Sequence, residues 1–411
     1  MGIAPYISEA MNSASIIRKM FEEGIRLKKQ FGEDAVFDFS LGNPDLEPPP
    51  QVLETIRELA NRTEPDERGV HGYMPNAGYP RARCAMAAKV AREQGVSVPG
   101  ASAIMAVGAA GGLNAVFKAI LSPGDEAIVI APYFAEYGHY VRNHGGVLKP
   151  VPAKEDFSLD IEAISQALTE KTAAVLINSP NNPSGKIYTS GEIKALADAL
   201  KAHSQKSGAN GVCRTPYLIA DEPYREIVYD NKTVAPIFPV YESSIIVSSF
   251  AKNLSLPGER IGYVVINPAA PDNQDLVAAV TFTTRILGYV NAPAFFQRVV
   301  AKCWDAPADF SSYRKRRDDL CAILDTAGIG YNTPEGAFYL FCRVPARNAV
   351  PQTGDDIAFC EHLKKYNILG VPGTAFGLTG WFRLAYCVSE KTISGSEKAF
   401  RDAAESWGSR D

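Results

Sequence analysis

Six short apolar runs between residues 103 and 266 limit this chain to few architectures. They are 103–107 (AIMAV), 127–131 (AIVIA), 173–177 (AAVLI), 217–220 (YLIA), 244–249 (SIIVSS) and 262–266 (GYVVI). Continuous apolar runs of this length, rather than alternating ones, belong to strands covered on both faces. Helix-like stretches at 161–168 and 191–203 lie between several of them. The pattern predicts an α/β fold with a mostly parallel sheet.

The flanks differ. Residues 13–31 place Met20, Ile25 and Leu27 at helical spacing, with Ser13 as the expected N-cap. Leu41-Gly42-Asn43-Pro44-Asp45 and the prolines at 48–50 read as a linker. Beyond residue 305 a helix is predicted over 310–327 and strands near 338–344 and 381–387. The expected organisation is a large domain over 51–305 and a smaller α+β domain over 306–411, which the N-terminal segment 1–50 joins.

Composition narrows the function. The 411 residues are 46% hydrophobic and 21% charged, as in a soluble globular protein, and the net charge of -4 gives no basic footprint for nucleic acid or an anionic membrane. The runs Arg314-Lys315-Arg316-Arg317 and Lys28-Lys29 read as solvated helix faces. Seven cysteines, at 84, 213, 303, 321, 342, 360 and 387, never form a CxxC pair. That argues against a disulfide framework or a zinc site and for a reducing compartment. With no signal-peptide pattern and no apolar run of roughly 18 residues, a cytoplasmic protein is expected.

The chemistry gathers where the apolar runs end. In open α/β sheets ligands bind outside the carboxyl ends of the strands. Those ends read Gly108-Ala109-Ala110, Pro132-Tyr133-Phe134, Asn178-Ser179-Pro180-Asn181-Asn182-Pro183, Asp221-Glu222-Pro223-Tyr224 and Ser249-Phe250-Ala251-Lys252. No GxGxxG follows the first strand, and no GxxxxGK[ST] loop is present. An amide, a carboxylate, a phenol, an aromatic face, a hydroxyl and a lysine on one sheet edge suit a pyridine ring that bears an aldehyde and a phosphate arm. The aldehyde needs an amine, the ring nitrogen a carboxylate, and the phosphate a helix start and a cation.

As a set, the motifs 178–185 (NSPNNPSG), 221–224 (DEPY), 249–263 (SFAKNLSLPGERIGY), 334–341 (PEGAFYLF) and 382–386 (FRLAY) resemble the class I/II aminotransferases of pyridoxal-phosphate (PLP) fold type I. The resemblance runs from Leu41 to about Val388. It implies a two-step exchange of an amino group between an L-amino acid and a 2-oxo acid, with PLP held by Lys252 as a Schiff base.

The same resemblance assigns the other roles. Asp221 would pair with the pyridine nitrogen, while Tyr224 and Asn182 would donate to the ring's phenolic oxygen. Gly108 and the N–H groups of Ala109 and Ala110, with Ser249 and Arg260, would hold the phosphate. Phe134 would stack on the ring. Tyr73 would reach the phosphate of a neighbouring subunit, which implies a homodimer with shared sites. Arg383, assisted by Asn182, would bind the substrate carboxylate, and Gly42 would line the pocket.

Blander readings stand beside these: a turn former for Asn182, a core aromatic for Phe134, a structural tyrosine for Tyr73 and a domain-seam ion pair for Arg383. Substrate identity stays open. The turn Gly108–Gly111 carries no lysine, and Arg285 is a candidate clamp for a side-chain carboxylate. A C–S β-lyase on the same fold is the competing reaction. A PLP-binding transcription regulator would need a helix-turn-helix module ahead of Leu41.

Overall fold

The computed structural model describes residues 2–13, 15–61, 70–208, 214–346 and 355–408. At its centre lies a seven-stranded sheet: β1 (Ala103–Val107), β2 (Glu126–Ala131), β3 (Val147–Pro152), β4 (Thr172–Asn178), β5 (Tyr217–Asp221), β6 (Ser244–Ser249) and β7 (Ile261–Ile266). The spatial order is β1-β7-β6-β5-β4-β2-β3. Only β7 runs against its neighbours; every other pairing is parallel. All seven residues of β4 are buried, as expected of a central strand, and each large apolar side chain so placed contributes roughly 1.5–3 kcal/mol.

Six of these strands coincide with the apolar runs. The seventh, β3, has the sequence VLKPVP and lies largely exposed at the sheet edge. Prolines are tolerated at such an edge, because their missing N–H groups break no interior ladder. The same prolines and Lys149 hide the strand from a search for apolar runs.

Four helices matter for the site: α1 (Pro80–Gln94), α2 (Gly108–Ile120), α3 (Tyr137–Arg142) and α4 (Asn273–Ile286). Helix α1 starts with proline in its first turn and stops at Gly95, whose left-handed backbone (φ 68°) closes it on the Ala91 carbonyl. At the N-terminus, helical residues span Pro5–Ser13 and Ser15–Phe31. Ser13 is itself helical and preceded by helix, so it is not the expected N-cap. Met20 and Leu27 are buried as expected, but Ile25 is exposed.

A second sheet is antiparallel, in the order Val371–Pro372, Trp381–Ala385, Tyr339–Arg343, Tyr331–Asn332. Phe37–Asp38 pairs in parallel with Ile368–Leu369. Phe39 shares a buried cluster with Tyr313, Phe338, Phe359, Phe382 and Trp407. The clusters on the large sheet draw their residues from 52 to 306.

The reading of the charge runs as solvated faces fails at two residues. Arg316 and Arg317, on the helix Ser311–Thr326, are not solvated but buried. Arg316 donates to Asp45 at 2.8 Å, and Arg317 to Asp230 at 2.7 Å and to the Pro334 carbonyl at 3.1 Å. Buried guanidinium groups need such partners, and both carboxylates come from distant parts of the chain. No described helix is long and apolar enough to cross a membrane. The six described cysteines are unpaired thiols; Cys213 lies outside the described residues.

Candidate active site

A cleft of about 320 Å³ opens where β4, β5 and β6 end and α2 begins, and residues of the second sheet close it. The structure brings together in it Gly42, Ala109, Ala110, Phe134, Asn182, Asp221, Tyr224, Ser249, Lys252, Arg260 and Arg383.

Lys252 follows β6, and its Nζ donates to the Gly42 carbonyl at 2.7 Å. Burial lowers its pKa to about 8; Arg383 and Arg260 push the same way and the Cys387 thiol opposes them. Nζ stands 5.2 Å from the centroid of the Phe338 ring. A lysine near neutrality is a nucleophile and a proton carrier, which an ordinary surface lysine is not.

Asp221 closes β5. Tyr137 Oη donates to one of its carboxylate oxygens at 2.5 Å, while the other, Oδ1, is buried without a partner. Burial raises the Asp221 pKa to about 7, and the Tyr137 hydrogen bond opposes the rise. An orphaned carboxylate oxygen in a closed cleft is costly unless a cationic N–H meets it.

Asn178 organises the neighbouring turn. Its Nδ2 donates to the Asp221 carbonyl at 2.8 Å and its Oδ1 accepts from the Asn182 N–H at 2.7 Å. Asn182 Oδ1 in turn accepts from Arg383 at 3.1 Å. The second terminal nitrogen of Arg383 donates to the Ser40 carbonyl at 2.7 Å, and its Nε has no partner. The guanidinium lies over the rings of Tyr339 and Phe376, at 4.6 and 4.7 Å. Tyr224 and Tyr339 share a hydrogen bond of 2.8 Å.

At the opposite end of the cleft, Gly108 has φ 65° and a Cβ there would stand 2.7 Å from the Arg260 guanidinium. Only glycine lets the two approach so closely. Ala109 and Ala110 sit in the first turn of α2, where N–H groups lack helical partners and favour an anion. Ser249 and Arg260 flank that turn.

Phe134 lines the cleft and meets Tyr137 edge-on at 5.5 Å. Its neighbour Tyr133 does not; its N–H bonds the Phe376 carbonyl, and its ring faces Gly377. Two candidates lie outside the cleft of their own chain. Tyr73 is 93% exposed, and Arg285 is exposed in the last turn of α4.

Sequence reasoning missed Tyr137, Asn178 and Tyr339 as site residues. Tyr137 lies three positions after Phe134 and gives no periodic signal. Tyr339 sits within the quoted 334–341 motif, where the strand that buries Leu340 turns it toward the cleft.

The donor set fits PLP: the partnerless Asp221 oxygen suits a protonated ring nitrogen, Lys252 an aldehyde, and the α2 turn with Arg260 a phosphate. The family model described as aminotransferase class I and II matches residues 34–395. The chain belongs to that family. Relatives of the family span nearly all of it. The aspartate/prephenate aminotransferase of Thermus thermophilus is 32% identical over 386 residues, 92% of this chain and 93% of its own. The aspartate aminotransferase of Geobacillus stearothermophilus is 30% identical over 375 residues, 88% of this chain and 89% of its own.

Among solved structures, an amino transferase from Eubacterium rectale superposes with a TM-score of 0.92 at 38% identity over the whole of both chains. The Thermus thermophilus aspartate aminotransferase with maleate gives 0.82 at 29% identity, over 95% of this chain and 96% of that one. As a class I/II aminotransferase the protein is a PLP-dependent transaminase of fold type I. Names of this kind among its relatives do not favour the eliminating alternative.

Proposed function

We propose that the cleft transfers the amino group of an L-amino acid to a 2-oxo acid in two half-reactions, with the residues above in the following roles. The observation that carries the assignment is the pair formed by near-neutral Lys252 and the half-partnered Asp221 in one closed cleft.

PLP, when bound, supplies the electron sink that makes the donor's Cα–H acidic. Lys252 Nζ would hold the cofactor and, once released, would carry the proton from the donor's Cα to the cofactor's C4′, and in the opposite direction with the acceptor. Asp221 keeps the ring nitrogen protonated, and Tyr137 orients Asp221. Tyr224 and Asn182 donate to the phenolic oxygen, and Phe134 covers the ring. Gly108, Ala109, Ala110, Ser249 and Arg260 bind the phosphate. Arg383 forks onto the α-carboxylate with Asn182 and so turns the Cα–H bond out of the ring plane. Gly42 sets the wall behind Lys252.

We read the chain as two domains, 51–305 and 306–411 with 1–50; the separate buried clusters support this. The exposed Tyr73, Phe282, Ile286 and Val290 support a homodimer in which Tyr73 serves the partner's site. The unpaired cysteines support the cytoplasm as its compartment.

A donor panel tests the reaction. Stoichiometric conversion of bound PLP to its amine form by single amino acids is the expected result. Steady pyruvate release from a donor without any acceptor would establish elimination instead. With aspartate in the panel, Arg285→Ala should raise KM for dicarboxylic donors alone; equal loss on alanine removes Arg285 from the site.

A further inference from the structure

Behind the cleft lies a buried ionic network. Lys89, on the inner face of α1, is 3% exposed. Its ammonium pairs with Glu93 Oε1 at 2.8 Å, one helical turn on, and with Glu226. The same Glu226 oxygen accepts from Asn253 Nδ2 at 3.0 Å. Arg225 donates to Glu222 at 2.7 Å and to the Glu93 carbonyl at 3.1 Å. Ser248 Oγ donates to the Glu222 carbonyl at 2.9 Å.

The members are placed consistently along the chain. Glu222 follows Asp221, Arg225 and Glu226 follow Tyr224, Asn253 follows Lys252, and Ser248 precedes Ser249. The network is therefore built from chain neighbours of the residues proposed to hold the cofactor. A surface pair contributes little, but a buried ammonium needs carboxylate partners, because without them its charge is left uncompensated.

We propose that Lys89 is a positioning residue: its ammonium clamps Glu226, and through it Asn253, and so holds the loop carrying Tyr224 against the loop carrying Lys252. Among the described residues, the Glu226–Asn253 hydrogen bond links a side chain of residues 222–226 to one of residues 250–254, and Lys252 Nζ also stands 5.8 Å from the centroid of the Tyr224 ring. The clamp explains why a lysine is buried in α1 at all, with its charge spent on Glu93 of its own helix and on Glu226 rather than on substrate. It rests on the PLP reading above.

The test follows the absorbance of the Lys252-bound cofactor as a function of pH. Tyr224's bond to the phenolic oxygen stabilises the anionic form and keeps the midpoint low; a Tyr224 loop that drifts from Lys252 loses that bond. Asn253→Ala breaks the link without altering any charge. It should raise the midpoint by about one pH unit and lower kcat about tenfold, with the donor KM within about twofold because Arg383 is untouched. Lys89→Met should move the midpoint in the same direction.

A wild-type midpoint in Asn253→Ala overturns the clamp even if the melting temperature falls, and so does one in folded Lys89→Met. Where Lys89→Met fails to fold, Asn253→Ala alone decides. A wild-type protein that develops no visible band with PLP would defeat the cofactor reading itself. Variants that load PLP but titrate like wild type defeat only the clamp.

Discussion

Tyr137 donates a 2.5 Å hydrogen bond to one carboxylate oxygen of Asp221 and leaves the other facing the cleft without a partner. The bond favours the charged carboxylate against burial, which drives it toward neutrality. Tyr137→Phe should therefore weaken PLP binding about tenfold, the loss of one hydrogen bond to a charged group. Asp221→Asn should lower kcat by about 10²–10³-fold. Titration of the apoprotein with PLP and steady-state rates check both; a normal kcat in Asp221→Asn would remove it from the ring.

The stability of the apoprotein should carry two pH limbs. Asp221 titrates at about 7 when folded against an ordinary 3.8. Its contribution is thus complete below about pH 4 and lost as pH rises through 7. Lys252 titrates at about 8 against an ordinary 10.5. Its contribution is complete above about 10.5 and lost as pH falls through 8. Calorimetry across pH 4–10.5 should find Asp221→Asn without the acid limb and Lys252→Met without the alkaline one. Unchanged profiles in both variants would refute the assignments.

Arg383 offers a planar fork, and lysine cannot reproduce it. Arg383→Lys should lower kcat/KM for every donor by about 10- to 100-fold, mostly through KM. The absorbance of the loaded protein should stay unchanged. A large absorbance change would mean that Arg383 holds the cofactor, not the substrate.

The dimer is tested on α4. Phe282 is 59% exposed and Ile286 51% exposed on one end of that helix. Phe282→Asp should give monomers by analytical ultracentrifugation, with loss of most activity if the partner's Tyr73 completes each site. A fully active monomer would sink the shared-site arrangement.

Much of the site was legible because buried strands end abruptly. Asp221 and Lys252 stand at or just past the end of apolar runs, where a polar residue is conspicuous. Other features depend on contacts that no local pattern encodes. The reversed direction of β7 leaves no trace, because a strand buried on both faces reads alike either way. The buried state of Arg316 depends on Asp45, 271 positions away. Tyr137 meets Asp221 across 84 positions, from a six-residue helix without a clear apolar stripe.

The reversal of β7 has one more consequence. Because that strand starts at the edge where β6 ends, a single loop carries Lys252 on its near limb and Arg260 on its far limb. The loop is pinned across its base, Phe250 N–H to the Ile261 carbonyl at 3.1 Å and Leu256 N–H to the Phe250 carbonyl at 3.2 Å. In the proposed roles it would act as a caliper: one jaw for the aldehyde, one for the phosphate, with the gap set by the number of residues between them. Its spelling is freer than its length. A Cβ at Gly258 would meet nothing within 4 Å, so Gly258→Ala should titrate with PLP as the parent does, while deletion of Gly258 should close the jaws past the cofactor and abolish binding.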